Sequence, residues 1–77
     1  NMPKLPVISA KELIKVLFKL NFRIVHQRGS HIKLKRQIGT KEQIITIPNH
    51  KIIRKGALKN ILRIFDLTND DLINLKI

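Results

Sequence analysis

The sequence predicts an α+β domain in the order α-β-β-β-α, a three-stranded antiparallel meander with helices on one face and a short extra helix at the C-terminus. Three observations predict it. Two segments repeat apolar residues at helical spacing. The stretch between them alternates apolar and polar residues and is cut twice by glycine-containing turns. Finally, 77 residues, 43% of them hydrophobic, suffice for one core and not two, because each half of a divided chain would bury too little surface to offset its entropy. Residues 1–77 are therefore expected to form a single domain.

The first helix starts in "SAKELIKVLFKL" (9–20). Ser9 and Glu12 stand three apart before an apolar-periodic run, the reciprocal arrangement that satisfies the first free N–H groups of a helix. Leu13, Ile14, Leu17, Phe18 and Leu20 form the inward stripe, Lys11, Lys15 and Lys19 the outer side, and Asn21 is the expected terminator. From Phe22 to Gln27 the residues become β-branched and aromatic, and Gly29-Ser30 supplies a turn before "HIKLKR" (31–36) alternates. With Ile32 and Leu34 inward, His31, Lys33 and Lys35 share the solvated face. Gly39-Thr40 makes a second turn, and "QIITIP" (43–48) is the third strand, with Ile45 and Ile47 inward and Pro48 closing it. "NHKIIRKG" (49–56) reads as a basic loop. Ala57, Leu58, Ile61, Leu62 and Phe65 then define the second helix. A last helix is expected in "TNDDLINLK" (68–76), capped by Thr68, with Asp70 and Asp71 at the positive end of its dipole.

Sixteen Lys and Arg against five Asp and Glu give a net charge of +11. On so short a chain that charge calls for a polyanionic partner, nucleic acid first. The chain has no cysteine, which excludes disulfides, thiolate metal sites and a cysteine nucleophile. The start, "NMPKLPVISAKE", lacks the apolar core of a secretory signal, and no segment approaches the ~20 apolar residues needed to cross a bilayer. The expectation is a cytoplasmic protein without a membrane partner.

Metal chemistry finds few ligands here. Glu12, Glu42, Asp66, Asp70 and Asp71 are the only carboxylate side chains, and three of them crowd the C-terminal end, so a Mg²⁺-binding cluster beside the basic strand is not expected. His26, His31 and His50 have neither the i, i+4 spacing nor the cysteine company of a zinc site. No metal and no cofactor is expected.

What remains is His31, in "RGSHIKLKR" (28–36). Imidazole, with an unperturbed pKa near 6.5, gives and takes protons near neutrality. RNA offers a matching reaction, since its 2′-hydroxyl, once deprotonated, attacks the adjacent phosphate without any metal. Arg28, Lys33 and Lys35 would then steady charge on the phosphoryl oxygens. By spacing alone, Gly-Ser-His is an ordinary turn. Ser30 has no acid placed to orient a Ser-His pair, and His26 reads as a packing or solvated residue at the sheet edge. Lys55, Lys59 and Arg63 lie on the polar side of the second helix and follow a glycine-containing loop, where backbone phosphates can be gripped. The three phenylalanines fall at core-facing positions, which leaves no platform for stacking bases.

In combination, "RGSHIKLKR", "ITIPNH" and "KGALKNIL" resemble the HicA-type toxins, or YcfA-like family, of toxin-antitoxin pairs. The resemblance covers nearly the whole chain. It rests on Gly29-Ser30-His31, on Pro48-Asn49-His50, and on Lys55-Gly56-Ala57-Leu58. Ala57 stands where threonine is common, and His26 where a basic residue such as arginine is usual. The resemblance implies a double-stranded-RNA-binding-like fold and a ribosome-independent mRNA endonuclease with His31 as its catalytic residue, neutralised by a HicB-type antitoxin.

The expected function is thus a metal-independent endoribonuclease. His31 is its general acid or base, and Arg28, Gly29, Ser30, Lys33, Lys35, His50, Lys51, Lys55 and Lys59 contact RNA. The alternative is a non-catalytic RNA-binding module using the same face. A third class, a protein-interaction adaptor, would bind its partner without sensitivity to salt.

Overall fold

The computed structural model describes residues 7–76. The segment before Val7, expected to lack a secretory core, lies outside the described residues. The order is α1 (Ala10–Lys19), β1 (Arg23–Arg28), β2 (His31–Ile38), β3 (Lys41–Pro48), α2 (Lys55–Ile64) and α3 (Asn69–Lys76). The strands form one antiparallel sheet in the order β1-β2-β3, so the α+β meander is as expected. Among the described residues no helix is long and apolar enough to cross a membrane.

The caps follow from local sequence. Ser9 Oγ accepts from the Glu12 N–H at 3.1 Å, and Glu12 Oε1 accepts from the Ser9 N–H at 3.2 Å, closing the capping box that starts α1. Thr68 and Asp71 repeat the exchange at α3, at 3.0 and 2.9 Å. Both α1 and α2 end on a left-handed residue, Asn21 (φ 71°) and Asp66 (φ 54°). The following N–H turns back to a helix carbonyl, Phe22 to Leu17 at 2.9 Å and Leu67 to Leu62 at 2.7 Å. This Schellman closure satisfies free carbonyls and folds the apolar residue beyond the helix onto its last turn.

Both hairpins close with two-residue turns, Gly29-Ser30 and Gly39-Thr40, bracketed by the pairs Arg28↔His31 and Ile38↔Lys41. Only the glycine of each has positive φ, 58° in both, the type II′ arrangement whose twist matches the strands. Such tight turns carry the ladder up to the glycine, so β2 and β3 extend two residues beyond the expected 31–36 and 43–48. A methyl on Gly29 would meet nothing within 4 Å, so only backbone conformation opposes it. Gly29→Ala is expected to cost about 1–2 kcal/mol, lowering the thermal midpoint by about 4–8 °C per kcal/mol. An unchanged melting curve would rule out that turn geometry.

Alternation sorts the sheet into two faces. Ile32, Leu34, Ile45 and Ile47 are buried against Leu13, Val16, Leu17, Leu58, Ile61, Leu62 and Leu72 from the helices. Among the described residues nothing covers the other face. Helix α2 starts at Lys55, inside the stretch expected to be loop; Gly56 is tolerated in a first turn.

The phenylalanine expectation needs correction. Phe22 is buried, but Phe18 is 41% exposed, because α1 turns it outward beyond the edge of the core. Arg23 covers it, its guanidinium 5.4 Å from the ring centre and donating to the Phe22 carbonyl at 2.7 Å. Lys19 is also engaged, donating to the Leu75 carbonyl at 2.7 Å.

Arg36 continues the inward parity of Ile32 and Leu34 and is half-buried. Its guanidinium lies 4.7 Å from the Phe22 ring and 5.3 Å from the Phe65 ring. It donates to Gln43 Oε1 at 2.6 Å and to the Leu20 carbonyl at 3.0 Å. A cation thereby closes the open end of the core and neutralises the carbonyl end of α1.

Candidate functional site

The uncovered face is built in rows across the strands. The register aligns Arg28, His31 and Pro48 in one row, His26, Lys33 and Thr46 in the next, and Arg23, Lys35 and Ile44 in a third. His31 opens β2 straight after the II′ turn, and its side chain is exposed. Arg28 stands opposite it on one side and Pro48 on the other, and Lys33 follows two residues along β2. A proton-transfer group thus stands in water amid positive charge.

The cations differ in availability. Lys33 is exposed, whereas Lys35 Nζ lies 2.9 Å from Glu42 Oε2, both side chains about half accessible. Glu42 is the diagonal cross-strand neighbour of Lys35, a placement set by register. A pair this open contributes little stability, but it leaves Lys35 less free charge for a phosphate than Lys33.

Pro48 brings the next loop to His31. The Asn49 N–H donates to the Ser30 carbonyl at 2.6 Å, and the Ala10 N–H donates to the His50 carbonyl at 3.0 Å. These bonds tie the loop to the Gly29-Ser30 turn on one side and to the start of α1 on the other. His50 and Lys51 are exposed there and line a shallow depression of about 210 Å³ with Ser9, Lys11 and Asn49. His50 is therefore held near the strand end that carries His31, though outside the ladder.

Lys55 and Lys59 lie elsewhere. Both are exposed on α2, which packs on the covered face of the sheet, and Lys59 lines a shallow surface with Gly56, Ala57, Asn60 and Arg63. The sheet and the helix layer separate this surface from Lys33 and Lys35. Arg54 precedes α2 without a side-chain cap, and no acidic residue occupies its first turn.

His26, expected at the sheet edge as a packing or solvated residue, is solvated. It also shares the uncovered face with His31. The strand register shifts between Ile24 and His26, and this bulge moves residues of the same parity to opposite faces. Phe22 and Ile24 follow the covered side, His26 and Arg28 the open one. The signal in the sequence is that conflict of parity, four even-numbered residues whose chemistry demands two different faces. Among the described residues no three His, Asp or Glu side chains gather as a metal-binding group.

No curated protein and no solved structure matches the chain at a significant level. The family model of the HicA toxin of bacterial toxin-antitoxin systems matches residues 10–67. That span runs from the first turn of α1 to the end of α2 and contains the glycine turn before His31, the proline corner and the basic second helix. The chain belongs to the HicA toxin family.

Proposed function

We propose that this toxin is a metal-independent, ribosome-independent endoribonuclease acting on mRNA, with His31 as the general base. The observation that carries the reading is an exposed imidazole at the start of β2, opposite Arg28 and two residues from Lys33 on an uncovered sheet face. In the reaction the 2′-hydroxyl of a bound ribose yields its proton to His31. The 2′-oxygen then attacks the adjacent phosphorus and the bond to the 5′-oxygen breaks, leaving a 2′,3′-cyclic phosphate and a 5′-hydroxyl end. Arg28 and Lys33 bind the non-bridging oxygens, where charge accumulates in the transition state. Gly29 and Ser30 let backbone approach the strand, and Lys35, His50 and Lys51 flank it. Lys55 and Lys59, on the helix layer, serve an RNA that passes round the edge of the sheet. The antitoxin that the family implies is of the HicB type, and it neutralises the toxin by covering the open face.

Purified protein incubated with single-stranded RNA in EDTA tests the reading. Fragments ending in 2′,3′-cyclic phosphate are expected; intact RNA retained by the protein would instead make it a binding module.

Lys33 provides a second check. Each phosphate neutralised on a single strand contributes a slope of about −0.7 to log K against log salt. Lys33→Ala should make that slope shallower by about 0.7. Lys35→Ala should change it less, because Glu42 already holds that ammonium. Equal changes in filter-binding titrations would contradict this ranking.

A further inference from the structure

We propose that His26 is the second proton carrier of the same reaction, the general acid that protonates the departing 5′-oxygen. The proposal rests on the ribonuclease reading above, and it concerns a residue that reading does not use.

Cleavage through the 2′-oxygen needs two proton transfers, one from the attacking hydroxyl and one to the leaving oxygen. His31 supplies the first. The carboxylates are committed elsewhere: Glu12 to the cap of α1, Glu42 to Lys35 and Asp71 to the cap of α3, while Asp66 and Asp70 sit at the end of α2 and the start of α3. With Arg28 and Lys33 assigned to the non-bridging oxygens, the imidazoles of His26 and His50 remain.

His26 stands on the open face because β1 bulges between Ile24 and His26. A bulge disrupts the ladder and re-aims a side chain, and such features concentrate beside active sites. Without it, the parity that buries Phe22 would turn His26 under the sheet. The bulge sets His26 opposite Lys33 and diagonal to His31. Diagonal neighbours in an antiparallel pair lie about 7–8 Å apart, and a proton-transfer group reaches about 2.6–3.2 Å to its target. A phosphodiester seated over Lys33 thus has its 2′-oxygen toward one imidazole and its 5′-oxygen toward the other. The charged groups facing His26 are Lys33, Lys35 and His31 from β2 and Arg23 and Arg28 from its own strand. Among the described residues no helix packs on this face.

The step balances as follows. The 2′-hydroxyl proton passes to neutral His31, the 2′-oxygen bonds to phosphorus, the bond from phosphorus to the 5′-oxygen breaks, and that oxygen takes a proton from the His26 imidazolium. Water later exchanges the protons between the two rings.

The experiment compares wild type, His26→Ala, His26→Arg and His50→Ala on two RNA oligonucleotides. One is natural; the other carries a bridging 5′-sulfur at the mapped cleavage position, whose thiolate leaves without protonation. His26→Ala should cleave the natural strand on the order of 10²-fold more slowly and the sulfur-containing strand at close to the wild-type rate. His26→Arg, which keeps charge but donates no proton, should behave alike, and both should lose the alkaline limb of the pH–rate profile. Full activity of either His26 variant on natural RNA, a deficit that sulfur does not relieve, or sulfur rescue of His50→Ala instead would overturn the assignment. If the wild type itself leaves RNA intact, the ribonuclease reading fails and this assignment falls with it, a result distinct from the other three.

Discussion

His31→Ala is expected to lose RNA cleavage by about 10²–10⁴-fold, the contribution of a positioned general base, while folding and RNA binding survive. The structure separates these effects. The His31 ring is exposed, and no hydrogen bond from its side chain supports the fold among the described residues, so its loss removes a proton acceptor without opening a cavity. Strand pairing at this position uses backbone groups, which alanine keeps. Arg28, Lys33 and Lys51 stay in place, so salt-sensitive binding to single-stranded RNA should persist within a few-fold of wild type. Gel assays of cleavage in EDTA, paired with filter binding and a thermal melt, measure the three quantities independently. Equal cleavage by the variant and wild type would dismiss His31 as the base. A variant that no longer folds would mean the ring carries structural work that the geometry does not support.

The second large effect is on stability. Phe22→Ala should destabilise the domain by about 3–5 kcal/mol, as truncation of a fully buried phenylalanine does. At roughly 0.05–0.15 kcal/mol per residue, a chain of this length holds only about 4–12 kcal/mol in total. The substitution would remove a large share of that stability, and the thermal midpoint would fall by about 4–8 °C for each kcal/mol. Phe22 carries this weight because several elements converge on it. It follows the left-handed Asn21, its N–H closes the end of α1, its ring meets Phe65 edge-on at 5.0 Å between centres, and Arg36 stacks on it. The chain has no Trp or Tyr, so far-UV circular dichroism is the suitable probe. Arg36→Met should cost about 1–3 kcal/mol by leaving the Leu20 carbonyl and Gln43 without their donor. Because the two side chains touch, the double variant should lose less than the sum of the single losses. A midpoint for Phe22→Ala within about 3 °C of wild type would show that the core end is not organised around this ring.

The antitoxin partner implied by family membership bears on both results. A protein that covers the open face would protect the His31 row and leave the Phe22 end of the core untouched. Destabilised and inactive variants should therefore differ in whether partner binding rescues them. Binding stabilises a folded toxin by mass action, so Phe22→Ala should regain thermal stability on mixing, whereas His31→Ala should not regain cleavage.

Much of this molecule was legible from residues close together in the chain. The capping pair Ser9/Glu12, the cap at Thr68, the stop at Asn21, the two glycine turns and the alternation that turns His31, Lys33 and Lys35 to solvent all follow from hydrogen bonds and periodicities local in the chain. Those interactions are encoded locally, so the sequence alone determined the order of elements and the face on which the imidazole stands. Only the tertiary structure decided the rest. The bulge that brings His26 beside His31, the diagonal that commits Lys35 to Glu42, and the tie from Asn49 to Ser30 depend on strand register, which links residues distant in sequence. Arg36 reads as another surface cation until α1, β3 and α2 surround it, and Phe18 reads as core until the layer ends beside it. Register and layer edges arise when separate elements pack, and no local pattern of charge or hydrophobicity specifies them.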